Sequence, residues 1–242
     1  MNRIFITGDT HGIIDIAKMD KLNEKLGNTL TRDDYIIICG DAGFCWDGGK
    51  HDKEVLTYFE ALPWTTLFID GNHENFSILN SLPELSLFGG RVHKVSEHIF
   101  HLMRGQVFTI GQFTFFTMGG AISIDKGFRV PFVSWWPEEM PSWEEIADAQ
   151  TNLDKVNWEV DYFLTHSLDD KSQAEFFPDY KVDFDAKGIG GFKQNLKFRT
   201  HFCGHLHTDV EINDDTIVVY NCIWECCDSL ENEGKNHLLM KI

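Results

Sequence analysis

Five short apolar runs in this chain each end on a side chain that can bind a metal, and their order constrains the fold more than any other feature. Gly8-Asp9-Thr10-His11-Gly12 follows Ile4-Phe5-Ile6, and Gly40-Asp41 follows Tyr35-Ile36-Ile37-Ile38-Cys39. Gly71-Asn72-His73-Glu74 follows Leu67-Phe68-Ile69, Thr165-His166 closes Tyr162-Phe163-Leu164, and Gly204-His205-Leu206-His207 closes His201-Phe202-Cys203. Polar groups at the C-terminal ends of β-rich runs lie at the edge of a sheet, where open sheets bind ligands. Five such endings point to a dinuclear metal site built from nearly the whole chain, and therefore to one domain spanning 1–242.

The first third alternates in type. The pattern predicts strands at 3–7, 35–39 and 65–69, separated by helices near 14–26 and 51–62, which is a βαβαβ arrangement with parallel strands and right-handed crossovers. Asn75–Leu82 reads as a short helix ended by Pro83. Ile99–Met103, Val107–Ile110 and Phe113–Met118 read as antiparallel hairpins turned at Gly105-Gln106 and Gly111-Gln112. An aperiodic, aromatic segment from Gly119 to Pro141 ends at a capping box, Ser142-x-x-Glu145, which starts a helix to about Trp158. Strands are expected at 161–165, 199–203, 216–220 and 238–242. Gly188-Ile189-Gly190-Gly191 lacks the preceding strand of a dinucleotide fingerprint and reads as a flexible loop. The sum is an α/β chain, parallel early and antiparallel late, in two packed sheets with helices outside.

At 242 residues, 43% of them apolar, the chain can bury a substantial core. A formal net charge of −17 repels polyanions, which disfavours long nucleic acid and anionic membranes as partners. Two bound cations would still make a locally positive pocket, so a small phosphorylated substrate remains compatible with the acidic exterior. No run approaches the roughly 18 apolar residues of a membrane span, and the start enters a strand without a signal-peptide pattern. The six cysteines include no CxxC pair. Cys39 and Cys203 fall in apolar runs as small hydrophobes, and Cys222-x-x-x-Cys226-Cys227 reads as core and surface thiols. A cytoplasmic setting is expected.

Taken together, the motifs resemble the calcineurin-like metallophosphoesterase superfamily, in the family's order over about residues 3–210. The resemblance implies a four-layer αββα sandwich of two mixed sheets flanked by helices, with two metals at the strand edge. It implies that Asp9, His11, Asp41 and His207 hold one metal and that Asp41, Asn72, His166 and His205 hold the other, Asp41 bridging. His73 would sit at the scissile phosphate, with Asp9 orienting or charging it, as the group that steadies the transition state or protonates the leaving oxygen. The implied activity is hydrolysis of a small phosphodiester or phosphomonoester by a metal-bridging hydroxide. A serine/threonine protein phosphatase and a catalytically silent scaffold of the same fold are the alternatives.

The residue types suit this reading on their own chemistry. Imidazole, carboxylate and amide oxygen favour Mn, Fe or Zn over soft-metal thiolate sites. A carboxylate can bridge two cations, and His205-x-His207 on a strand edge or turn can direct both rings to one side. Histidine 73 has an ordinary pKa close to neutrality, as proton transfer requires. Taken singly, Asp9 or Asp41 would serve equally as a helix cap and Asn72 as a turn residue.

One position departs from the pattern. Many relatives read Gly-Asp-x-x-Asp, where this chain has Gly40-Asp41-Ala42-Gly43-Phe44, with Asp47 three residues further on. The segment 119–160, between the asparagine motif and His166, is the expected substrate-side insertion. Within it Arg129 is a candidate phosphate ligand, or else the partner of Asp125 or Glu138. Asn72 and His73 would also face the substrate. Trp135 and Trp136 are expected to pack beneath the loop rather than to stack on a base.

Overall fold

The computed structural model describes residues 2–180, 184–227 and 236–241. The first βαβαβ run is β1 (Ile4–Thr7), α1 (Ala17–Leu26), β2 (Tyr35–Cys39), α2 (Lys50–Glu60) and β3 (Thr65–Ile69). The three strands pair in parallel, with Ile6 opposite Ile37 and Ile37 opposite Leu67. Helix α3 (Phe76–Leu79) is capped by Asn75, whose side chain accepts the Ile78 N–H. A hairpin that the sequence reading missed follows: β4 (Glu84–Leu87) and β5 (Gly90–Lys94), turned at Phe88 and Gly89, both with positive φ.

The next strand corrects the hairpin expectation. Strand β6 (Ile99–Leu102) pairs with β3 in parallel and with β5 antiparallel. It makes no hairpin with β7 (Gln106–Ile110). Between them the chain turns at Gly105 and crosses into a second sheet, where β7 pairs antiparallel with β8 (Phe113–Met118). The alternation in 99–118 reports burial, and it cannot say which sheet takes each strand.

After the short 3-10 turns Lys126–Phe128 and Pro137–Glu139 comes α4 (Trp143–Lys155), whose capping box at Ser142 and Glu145 forms as read. Then follow β9 (Tyr162–Thr165), α5 (Asp170–Phe176), α6 (Phe184–Asn195), β10 (Thr200–Cys203), β11 (Val210–Ile212), β12 (Thr216–Val218), β13 (Ile223–Glu225) and β14 (His237–Met240). The expected last strand therefore starts earlier, and its end at Ile242 lies outside the described residues.

Two further expectations are corrected. The late strands are mixed: the six-stranded sheet is parallel at its centre, β8 with β9, β9 with β10 and β10 with β12, and antiparallel at its rims through β7 and β11, while β13 and β14 join the first sheet antiparallel as expected. The Gly188–Gly191 segment is helix α6, not a loop. Burial of Ile189 and Phe192 against the second sheet overrides the low helix propensity of glycine. Gly190 also lets α5 approach, since a Cβ there would lie 2.5 Å from Asp170 Oδ1.

The eight-stranded sheet runs β14-β13-β1-β2-β3-β6-β5-β4 and the six-stranded sheet β11-β12-β10-β9-β8-β7. Alternation along each strand builds the layers. Ile4, Ile6, Ile37, Cys39 and Leu67 face Phe115, Tyr162, Leu164 and Phe202 between the sheets. Phe5, Ile36, Ile38 and Phe68 face the other way onto Met19 and Leu22 of α1 and Val55 and Phe59 of α2. Phe116 and Phe163 do the same onto Leu153 of α4 and Phe192 of α6. The result is helices, sheet, sheet, helices. Because β1, β2, β3, β9 and β10 run in parallel within their sheets, the five motifs leave their C-terminal ends at one place. Among the described residues no helix is long and apolar enough to cross a membrane.

Candidate metal centre

The site is held together first by its backbone. The carbonyl of Asp41 accepts the N–H groups of Thr10 and His11 at 3.2 and 2.9 Å, which ties the second motif to the first. The third is tied through Asp41 Oδ1, which accepts the His73 N–H at 2.8 Å. The His205 N–H donates to both oxygens of Asp9 at 3.2 Å, joining the fifth motif to the first. His166 Nδ1 lies 2.8 Å from the Cys39 carbonyl, joining the fourth to the second.

The glycines make this interlocking possible. A Cβ on Gly40, whose φ is +87°, would sit 2.1 Å from His166 Nδ1. One on Gly71 would sit 2.2 Å from Asp41 Oδ1. Each glycine thus makes room for a donor from another motif, in addition to shaping its own turn.

The seven candidate donors come together. Donor atoms of Asp9, His11 and His207 lie within 4.8 Å of one another, as do those of Asp41, His166 and His205. Asp41 Oδ2 stands between the groups, 3.5 Å from His11 Nε2 and 3.3 Å from His166 Nε2. Asn72 Oδ1 lies 3.2 Å from His166 Nε2, and Asp9 Oδ2 lies 3.2 Å from His207 Nε2. His73 also approaches, its ring nitrogen grouping with His11 and Asp41. The carboxylate in contact with His73 is Asp41, while Asp9 faces His207, His166 and the His205 N–H.

Backbone strain marks the same residues. Nine described non-glycine residues have positive φ, and four of them are His11 (+44°), Asp41 (+48°), His205 (+67°) and His207 (+47°). Such conformations cost on the order of 1–3 kcal/mol each and persist where the surroundings over-determine them.

The donor set fits divalent cations. His166 presents Nε2 to Asp41 and Asn72 because its Nδ1 faces the Cys39 carbonyl, and His11 presents Nε2 because its Nδ1 faces Asp15 Oδ2 at 2.8 Å. Fixing one ring nitrogen in this way orients the other as a ligand. The electrostatics agree. Burial opposes charge on His166, yet Asp41 and Asp9 overcome it and raise the imidazole to about 10. His11 is raised to about 9 in the same way, mainly by Asp41 against burial. Burial would push Asp41 up, and His166 and His11 hold it well below the usual carboxylate range. Carboxylates that draw protons onto buried imidazoles this strongly form a centre in deficit of positive charge, which bound cations would supply.

Several supporting residues escaped the sequence reading. Lys18 is buried and donates to the carbonyls of Gly8, Asp9 and Tyr220, fixing the first motif from below. Glu74 is fully buried, accepts the Ala42 and Gly71 N–H groups at 3.0 and 2.6 Å, and is raised to about 8 by burial and then by Asp41 and Asp70. Asp70 binds Arg104 through Nε and Nη2 at 2.8 and 2.6 Å and meets His101 Nε2 at 3.0 Å. Ser123 links Asn72 to Glu139. Glu74 closes the Gly71–Glu74 motif, with no role read for it, and Asp70 directly precedes that motif. Lys18 comes from the helix after the first motif and the others from distant elements.

Phe44, at the departing position, is buried between Phe59 and Phe68, and exposed Asp47 does not stand in for a carboxylate there. Arg129 is half-buried, pairs with Asp125 Oδ1 at 2.7 Å, and sets its two terminal nitrogens 3.5 and 3.4 Å from the ring nitrogens of His73. Trp136 is buried and donates to Ser77 Oγ, and Trp135 lies under the Lys126 ammonium.

The sequence profile of the calcineurin-like phosphoesterase family matches residues 2–209, and the chain belongs to that family. A solved crystal structure superimposes over 100% of this chain and 99% of its own, with a TM-score of 0.54 and 12% identity, a likeness of fold. No curated protein sequence matches the chain significantly.

Proposed function

We propose that this chain is a dinuclear metal-dependent phosphoesterase acting on a small phosphodiester or phosphomonoester. The observation that carries the reading is the buried Asp41 carboxylate standing between His11 and His166, where it groups with His166 and His205 on one side and faces the trio Asp9, His11 and His207 on the other. Asp9, His11, Asp41 and His207 would hold one ion, and Asp41, Asn72, His166 and His205 the other, as Mn, Fe or Zn. Such a pair of ions acidifies water, holds phosphate oxygens and neutralises charge during in-line displacement.

The chain's own residues supply the rest. His73 is fixed by its N–H to Asp41 and stands at the side of the donor cluster, where its ring can give a proton to the leaving oxygen. Burial, then Arg129 and His11, lower its pKa against an opposing pull from Asp41, which favours release of that proton. Arg129 is poised next to His73 to pair with a phosphate oxygen. Asp125 keeps its guanidinium in place until then. The acidic exterior favours a small substrate over a polyanion, and the unpaired cysteines fit a reducing cytoplasm.

The test is hydrolysis of bis-p-nitrophenyl phosphate and p-nitrophenyl phosphate, side by side, by protein reconstituted with Mn, Fe or Zn. Metal-dependent turnover of either supports the reading. Fully metal-loaded protein that turns over neither would contradict it.

A further inference from the structure

Five aromatic rings cross the candidate centre in sequence. Trp46 stacks near His73 with centroids 6.3 Å apart and an interplanar angle of 26°. His73 meets His11 edge-on at 5.6 Å, His11 meets His207 at 5.0 Å, and His207 stacks on Tyr220 at 4.8 Å. The three histidines belong to the centre. Tyr220 is half-buried, with its carbonyl bound to Lys18. Trp46, at the other end, is 49% exposed.

An exposed indole is usually mobile, but this one stands on a rigid base. Both oxygens of buried Asp52 accept the Trp46 N–H at 3.0 Å, and the same carboxylate accepts the N–H groups of Asp47 and Gly48 at 3.2 and 2.8 Å. The Trp46 carbonyl accepts from Asn75 Nδ2, and the Cys45 carbonyl from the Asn75 N–H at 2.7 Å. The loop is thereby tied to α2 and to the segment that carries His73. A large flat surface held still in this way costs little entropy to use in binding. The loop that brings Arg129 to His73 leaves Phe128, Val130, Phe132 and Val133 exposed.

We propose that Trp46 is a specificity-determining platform that stacks a nucleobase carried by the phosphoester substrate. The inference rests on the phosphoesterase reading and names its substrate class. A phosphate at the donor cluster, beside His73 and Arg129, leaves the group attached to it at the Trp46 end of the ring row. Indole stacking accepts any base, because every base offers a π-face.

Adenosine 5′-monophosphate and ribose 5-phosphate share the sugar phosphate and differ by the base, so comparing them isolates the platform. On metal-loaded protein they are compared by kcat/KM where hydrolysed and by calorimetric Kd where not. Wild type should prefer the nucleotide. Trp46→Ala should remove on the order of ten-fold of that preference, within the range of base–aromatic stacking, and leave ribose 5-phosphate nearly unchanged. Trp46→Phe should keep most of it. Equal losses on both ligands, a Phe variant no better than Ala, or no base preference in wild type would each overturn the proposal. A base preference that depends on Trp46 without any hydrolysis would uphold the platform and remove the phosphoesterase reading beneath it.

Discussion

The backbone N–H of His73 donates to Asp41 Oδ1 at 2.8 Å, while Asp41 Oδ2 faces His11 and His166. One carboxylate thus positions the candidate proton donor and joins the two groups of candidate ligands, so the roles can be separated by substitution. Asp41→Asn and His205→Ala should each abolish hydrolysis, the first by removing the shared charge and the second by opening the second ion's shell. His73→Ala should keep both metals and slow turnover by roughly 10²–10⁴, the usual contribution of a positioned acid. Metal analysis and kcat on the three variants decide this. Loss of metal from His73→Ala would make His73 a ligand, as its approach to His11 and Asp41 permits.

Arg129 offers a second separation. Its pair with Asp125 is partly exposed, and such pairs contribute about 0–1 kcal/mol. Arg129→Ala should therefore leave Tm and metal content nearly unchanged and lower kcat/KM by an amount equivalent to about 1.5–3 kcal/mol, the range for a charge-assisted contact. A large fall in Tm with unaltered kinetics would make Arg129 a strut of the loop.

Phe44 tests the departure from the family pattern. It packs edge-on against Phe59 at 4.8 Å and tilted on Phe68 at 5.0 Å, in the layer between β2 and the helices. Phe44→Ala should cost about 3–5 kcal/mol of unfolding free energy. Phe44→Asp, which restores the relatives' residue type, should cost more, because the carboxylate would be buried without a partner. Urea unfolding measures both. A Phe44→Asp variant as stable as wild type would show that the site still accommodates a carboxylate.

Acid stability should carry a signature of His201. Its ring stacks on Phe163 at 4.6 Å and is fully buried, and burial, then Lys193, lowers its pKa to about 3. In the unfolded chain the same ring titrates at about 6.5. The unfolded state therefore binds the proton first, so this contribution is complete above about pH 6.5 and is lost as pH falls toward 3. His201→Gln should flatten the decline between those limits. Unchanged pH dependence would assign the acid sensitivity to other groups.

The site was legible because its parts are local. Each donor sits at the end of a β-rich run, so Asp9, Asp41, Asn72, His166 and His205 could be placed at one sheet edge before any contact was known. The partition into sheets was not legible, since the step from β6 to β7 through Gly105 changes sheet within a few residues and leaves the alternation intact. Helix α6 was hidden by its glycines, whose cost is offset by burial of Ile189 and Phe192. Arg104 and Ser123 act on the motifs from distant elements and Lys18 from the helix after the first motif, and nothing in their own neighbourhoods announces it.

Metal stoichiometry tests the central claim most directly. Elemental analysis of the chain after saturation with Mn, Fe or Zn and removal of free ion should give two ions per chain, falling on Asp41→Asn because that carboxylate would belong to both shells. A wild-type value that stops at one ion, or none, would contradict the dinuclear account.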